Sequence, residues 1–174
     1  TRRLRPVFVF NKSPVLTGGY LALRVEREFD GGPPRGWAPS YDFRVDLHGS
    51  SQRVGSISLR IGETDFLRLY AGHIGYGIAP SFRGHRYAAR ACLLLRGVAL
   101  DHGMETVWIT CNPENIASRR TCELLGAQLV EIVDLPADTD LYRRGERRKC
   151  RFRWHVTTDV PRVADPRPQP GSAA

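Results

Sequence analysis

Ile74-Gly75-Tyr76-Gly77-Ile78-Ala79-Pro80-Ser81-Phe82-Arg83-Gly84-His85-Arg86-Tyr87-Ala88 runs from a short strand pattern through a proline into an Arg-Gly turn that opens a helix. The strand spans 73–79 and Pro80 breaks it. Beyond the turn, Ala88, Cys92, Leu95, Ala99 and His102 recur at helical spacing, with Ala91 and Val98 beside them and Arg86, Arg90 and Asp101 on another face. Gly103 is placed to end this helix. The first amides of such a helix have no intrahelical partner and lie at the positive end of its dipole, which suits a pyrophosphate. Gly84 permits unusual backbone geometry, and the small Ala88 allows close approach. An ordinary strand–helix connection has the same outline, so the stretch alone leaves both readings open.

Working upstream, Tyr20–Phe29, Tyr41–Leu47 and Val54–Ile61 alternate apolar and polar residues and are joined by short turns, which predicts an antiparallel meander. Downstream, Thr106–Cys111 reads as a buried strand, Asn115–Leu125 as a second helix closed by Gly126, and 129–133 and 148–156 as two further strands. The expected order is β-β-β-β-α-β-α-β-β, an α+β (mixed α/β) domain over 20–156. It follows an N-terminal arm at 1–19 and precedes a disordered Pro-rich tail at 157–174.

The 174 residues suit one domain, and an apolar fraction of 41% is enough for a core, which excludes a wholly disordered chain. The longest apolar stretch is interrupted by Arg90 and Arg96, so no transmembrane helix is expected. The N-terminus lacks the apolar region of a signal peptide. Four cysteines, Cys92, Cys111, Cys122 and Cys150, form no CxxC pair. They read as buried, reduced thiols in a cytoplasmic protein, with no metal site. The net charge of +8 is uneven: residues 1–12 carry +4 and 142–154 carry +6, while 13–141 carry −2. That partition argues against a general polyanion-binding surface.

Some 30 residues after the first motif comes Trp108-Ile109-Thr110-Cys111-Asn112-Pro113-Glu114-Asn115-Ile116-Ala117-Ser118-Arg119-Arg120-Thr121-Cys122-Glu123-Leu124-Leu125-Gly126-Ala127. With Arg83-Gly84-His85-Arg86-Tyr87-Ala88, it resembles the GNAT (Gcn5-related N-acetyltransferase) superfamily. Within it the chain is most similar to the branch of ribosomal-protein and small-molecule acetyltransferases. The resemblance is specific over Gly72–Val133 and follows strand order over Tyr20–Val156. It implies a twisted, mostly antiparallel sheet of about seven strands, helices on both faces, and a cleft where the fourth and fifth strands splay apart. It also implies acetyl-CoA as co-substrate and direct transfer of the acetyl group to an amine. In that arrangement the pantetheine arm pairs with backbone near Ile78, like an added strand. The pyrophosphate rests on the amides of Arg83, Gly84, His85, Arg86, Tyr87 and Ala88. Asn115 matches a residue that contacts the cofactor, and Ser118 one near its thiol end; for each, a plain role in the helix start is the other reading.

Two departures stand out. Arg86 replaces the second glycine of the turn; the amide donors survive, so its side chain is expected to turn outward, toward a CoA phosphate. Many relatives carry on the second helix a Tyr that protonates the departing thiolate, and the matching residue here is Cys122, either an acid or a buried structural thiol. For a base, the candidates are His73, in the strand lining the cleft, and Glu63, which could polarise a water. Tyr76 reads as packing or as acceptor-pocket wall. Glu131, Asp134, Asp138 and Asp140 would attract a cationic amine if their loop borders the acceptor. The expected acceptor is a small-molecule primary amine, with a ribosomal-type protein N-terminus as the alternative. A non-catalytic module binding RNA or acetyl-CoA is the third reading, resting on the basic alternation of 147–154. Family habit adds a homodimer; no membrane partner is expected.

Overall fold

The computed structural model describes residues 8–10, 15–32 and 37–156. The chain forms strands β1 (Val15–Gly18), β2 (Leu21–Phe29), β3 (Ser40–Leu47) and β4 (Arg53–Arg60), then β5 (Ile74–Ile78), helix α1 (Tyr87–Asp101) and β6 (Thr106–Cys111). Helix α2 (Ile116–Leu124), β7 (Gln128–Asp134), the one-turn helix α3 (Asp140–Arg143) and β8 (Arg148–His155) follow. All eight strands share one sheet in the order β1-β2-β3-β4-β5-β6-β8-β7. Every neighbouring pair is antiparallel except β5 and β6.

That exception follows from connectivity. β5 and β6 are joined through α1, a crossover that returns the chain parallel to its start. The two strands pair only at Ile74 and Ile109. Before that point His73 N–H donates to the Trp108 carbonyl at 2.7 Å; beyond it the strands part. β5 stays bonded to β4 from Ile74 to Ile78, so its other edge faces an opening.

The alternation read from the sequence builds the core. Leu21, Leu23, Phe43, Val45, Ile57 and Leu59 are buried, and α1 adds Ala91, Cys92, Leu95 and Ala99. Helix α1 ends where Gly103 takes φ +72 and Met104 N–H returns to the Ala99 carbonyl at 2.9 Å. Side-chain burial of this order, roughly 1.5–3 kcal/mol per large apolar residue, outweighs the modest intrinsic preferences of the segments.

Several differences from expectation are local. β1 lies inside the stretch read as an arm, and Phe8 and Phe10 pack on His102 and Tyr41, so this part of the arm belongs to the domain. The remainder of the arm and the tail fall outside the described residues. Arg90, placed by periodicity on the polar face of α1, is buried and reaches the Gly19 carbonyl at 3.4 Å. A wide single turn at Leu67–Ala71, closed by Gly72 N–H on the Leu67 carbonyl at 2.8 Å, packs on β6 and β8. No helix is long and apolar enough to cross a membrane, and no cluster of potential metal ligands occurs among the described residues.

Candidate functional site

Where β5 and β6 diverge, a cleft of about 270 Å³ opens between them. Its walls include Gly75 and Tyr76 from β5, Thr110, Cys111 and Asn112 from the end of β6, and Asn115 and Ser118 from the start of α2. Arg60, Tyr70, Glu146 and Lys149 close the opposite side.

One side holds a compact set of hydroxyl and thiol groups. The Tyr76 hydroxyl crosses from β5 to lie 2.7 Å from Ser118 Oγ. Ser118 is held by the helix start itself, its N–H donating to Asn115 Oδ1 at 3.0 Å in an N-cap. Cys122, one turn further along α2, is fully buried behind this pair. Burial is the main force pushing the Tyr76 phenol and the Cys122 thiol well above their ordinary ionisation ranges. The Cys111 thiol, which lines the cleft, is also raised, first by burial. All four cysteines are free and buried, in agreement with the reading of structural thiols.

α1 begins after Arg86, whose carbonyl accepts the first full helical bond from Arg90 N–H at 3.1 Å. The amides of Ala88 and Ala89 thus precede any carbonyl one turn earlier, as an anion cradle requires. Gly84 has φ +86, and Arg86 itself sits at φ 59, ψ 21. This is the left-handed conformation that a glycine adopts without strain, which explains why the resembling pattern has glycine at that position. The Arg86 side chain is exposed, consistent with the outward orientation. The edge of β5 toward the opening, around Gly77 and Ile78, has no strand paired to it among the described residues, so an extended arm can lie along it. The backbone therefore fits acetyl-CoA: α1 amides for phosphate, β5 edge for the arm, and Tyr76 with Ser118 near the wedge.

Two predicted catalytic residues lie elsewhere. His73 is fully buried, and its Nδ1 accepts from Trp108 N–H at 2.9 Å. Its Nε2–H consequently donates to the Gly62 carbonyl at 2.8 Å. Both ring nitrogens are occupied by backbone, the ring does not line the cleft, and burial lowers its basicity. The expectation of His73 as base is therefore corrected: it braces β5 to β6 at the point where they still touch. Glu63 is exposed and also outside the cleft walls. Cys122 is too enclosed to meet a ligand, being absent from those walls.

The acidic loop and the basic strand change meaning as well. Glu131 pairs with Arg151 and Asp140 with Arg143, and none of Glu131, Asp134, Asp138 or Asp140 lines the cleft. β8 lies between β6 and β7 rather than at a surface edge. Lys149 and Arg151 are buried; Lys149 is paired with Glu146, and the Arg151 guanidinium lies 4.4 Å over the Trp108 ring. Alternation predicted an outward basic row, but a strand covered on both faces buries both of its sides.

Sequence reading missed Arg60, Asn112, Glu146 and Lys149. Their signal is spatial, since they come from β4, the end of β6, the loop after α3 and β8, and only the assembled sheet brings them together. Asn112 Oδ1 is buried in the cleft wall and accepts no hydrogen bond from any described residue.

Comparison with known proteins places this geometry. A family model described as an acetyltransferase (GNAT) domain matches residues 24–128. Among solved structures, the GNAT-family acetyltransferase from Bacillus anthracis is 21% identical, with 67% of each chain covered and a TM-score of 0.51. The apo form of RimL, a ribosomal-protein alpha-N-acetyltransferase, is 12% identical over 86% of this chain and 99% of its own, with a TM-score of 0.58. The microcin self-immunity acetyltransferase MccE, solved with acetyl-CoA and AMP, is 17% identical over 67% of this chain and 61% of its own, with a TM-score of 0.51. At these identities the likeness to solved structures carries the fold. A search of curated protein sequences returned no match.

Proposed function

The chain belongs to the GNAT acetyltransferase family and is an N-acetyltransferase; from that premise we propose that it transfers acetyl directly from acetyl-CoA to a small-molecule primary amine. The observation that carries this reading is the parting of β5 and β6 after the Ile74–Ile109 pair, with the Tyr76–Ser118 pair at the resulting cleft.

The α1 amides at Ala88 and Ala89 and the turn Arg83–Arg86 hold the pyrophosphate, and the β5 edge near Ile78 holds the extended arm. Acetyl-CoA, when bound, supplies an activated thioester. The amine nitrogen bonds to the thioester carbon, the carbon–sulfur bond breaks, and the sulfur leaves with the electron pair. Tyr76 donates the proton that the sulfur takes, with Ser118 orienting the phenol. Burial keeps the phenol protonated at neutral pH but also weakens it as an acid, so its proton passes in concert with carbon–sulfur cleavage and is replaced from water at the cleft mouth. The proton lost by the amine passes to Glu146, the only carboxylate in the cleft wall among the described residues, or to water at its mouth. Cys111 takes no covalent part, because burial keeps its thiol from forming the nucleophilic thiolate.

The test is a thermal shift with acetyl-CoA, with CoA and with RNA at low salt. Stabilisation by acetyl-CoA and not by RNA is expected; a shift by RNA alone would replace this reading with the binding-module one. Release of free thiol on adding an amine panel then separates transfer from binding.

A further inference from the structure

The acyl-transfer reading leaves open what else the acceptor carries, and the far wall of the cleft bears on that. Arg60, the last residue of β4, lines the cleft, and its guanidinium is half-buried. Gly75 on the neighbouring strand leaves the space it needs, since a Cβ there would lie 3.4 Å from Arg60 Nη2. Nη1 donates to the Gly72 carbonyl at 3.1 Å and, more weakly, to that of Ala71 at 3.5 Å. No carboxylate among the described residues lies within ion-pair distance of this guanidinium. Asp42, the carboxylate whose charge acts on it, is engaged by Arg27 at 2.6 Å.

The other cation in the wall, Lys149, is neutralised by Glu146. Arg60 is therefore a positive charge partly withdrawn from water, facing a cavity whose one carboxylate among the described residues, Glu146, is already paired with Lys149. Such a charge is costly unless a bound group completes it. A second observation fits the same ligand. Asn112 Oδ1, buried across the same cleft, lacks a donor among the described residues, and an amine N–H can supply one. A cation and an orphaned acceptor in one small cleft complement a molecule that carries both an anion and an amine.

We propose that the acceptor is a small amino-acid-like molecule bearing a carboxylate beside its amine, and that Arg60 binds that carboxylate. The inference rests on the acyl-transfer reading. The planar guanidinium still has donors beyond the Nη1 used by the two carbonyls, and it can grip a carboxylate through two of them. A protein N-terminus has its α-carboxyl tied up in a peptide bond and is a poorer fit.

The experiment measures acetyl-CoA-dependent thiol release with proteinogenic amino acids, each paired with its α-carboxamide, and with a short amidated peptide. The carboxamide is the neutral counterpart, and its less basic amine is the more reactive at neutral pH. A preference for the acid thus runs against intrinsic chemistry. Wild type is expected to favour the acid of at least one pair by about 10- to 100-fold in kcat/KM, the usual range for a hydrogen-bonded charge. Arg60→Gln should collapse that ratio toward one. Arg60→Lys, which keeps the charge but not the planar fork, should retain part of it. Acetyl-CoA-induced thermal stabilisation of both variants shows that they fold. Equal use of acid and carboxamide by wild type, or an unchanged ratio in Arg60→Gln, would overturn the inference while leaving acyl transfer intact. No thiol release with any pair and no stabilisation by acetyl-CoA would overturn both.

Discussion

Replacing Tyr76 with Phe removes one oxygen and little else, which makes it the sharpest probe of the proposed chemistry. The hydroxyl lies 2.7 Å from Ser118 Oγ in a part-buried setting. Losing that bond should destabilise the protein by about 1–2 kcal/mol. The catalytic cost is larger: positioned proton transfer contributes about 100- to 10,000-fold, so kcat near pH 7 should fall at least about 100-fold. That fall corresponds to about 2.7 kcal/mol of barrier. KM for acetyl-CoA should change little, because the arm and phosphates rest on backbone.

The defect should depend on pH. An ordinary thiol ionises near about 8.5, and above that pH the departing sulfur needs no proton. Burial raises the Tyr76 phenol, so wild type keeps its acid across this range. The ratio of wild-type to variant kcat should therefore shrink as pH rises from about 7 to about 9.5. Thiol release under saturating acetyl-CoA and amine, followed at several pH values, reads both effects. A kcat within twofold of wild type, or a pH-independent loss carried by KM, would refute Tyr76 as the acid.

Other expectations concern the scaffold. Arg86→Gly relieves a left-handed non-glycine residue and should stabilise by about 1 kcal/mol, raising Tm by roughly 2–4 °C; a lower Tm would contradict the strain argument. Gly97 in α1 is exposed with open space around its Cβ direction, so Gly97→Ala should gain about 0.5–1 kcal/mol in urea unfolding. Gly55→Ala should do the reverse and cost at least several-fold more, because its Cβ would lie 2.2 Å from the Gly77 carbonyl oxygen; a stable, active variant would mean β4 and β5 can separate cheaply. His73 and His102 are held neutral by burial, below their unfolded value near 6.5. The unfolded chain then binds more protons, so stability is fully present above about pH 6.5 and falls as pH drops below it. His73→Gln should flatten that fall while leaving the shape of the pH–rate profile unchanged, and a lost kinetic limb would restore His73 as a base.

The regular elements were largely legible because each carries its own period. Thr106–Cys111 matches β6 residue for residue, and α1 and α2 start and stop within two residues of the ends marked by Asn115, Gly103 and Gly126. β1 was not legible, since four residues beside a glycine pair show no alternation until β2 supplies a partner. The wide turn at Leu67–Ala71 is likewise stabilised by packing on β6 and β8 rather than by local pattern.

At the site, the backbone devices were readable and the side-chain partners were not. The Arg-Gly turn and the Asn115 cap announce themselves in sequence, and the structure forms both. His73 and Tyr76 exchange prominence for a reason the sequence does not carry. Three residues apart at the start of the central strand β5, one points into backbone carbonyl and amide groups and the other into the cleft. Glu131 and Arg151 similarly cancel across β7 and β8, erasing an apparent acidic attraction and an apparent basic stripe together.

The central claim is that acetyl-CoA lies in the opening between β5 and β6 with its phosphates on the start of α1. Amide hydrogen exchange with and without acetyl-CoA tests this most directly. The account predicts new protection concentrated at Gly75–Ile78 and at Arg83–Ala89, with little change along β2 and β3. Protection elsewhere, or none at saturating acetyl-CoA, would contradict it.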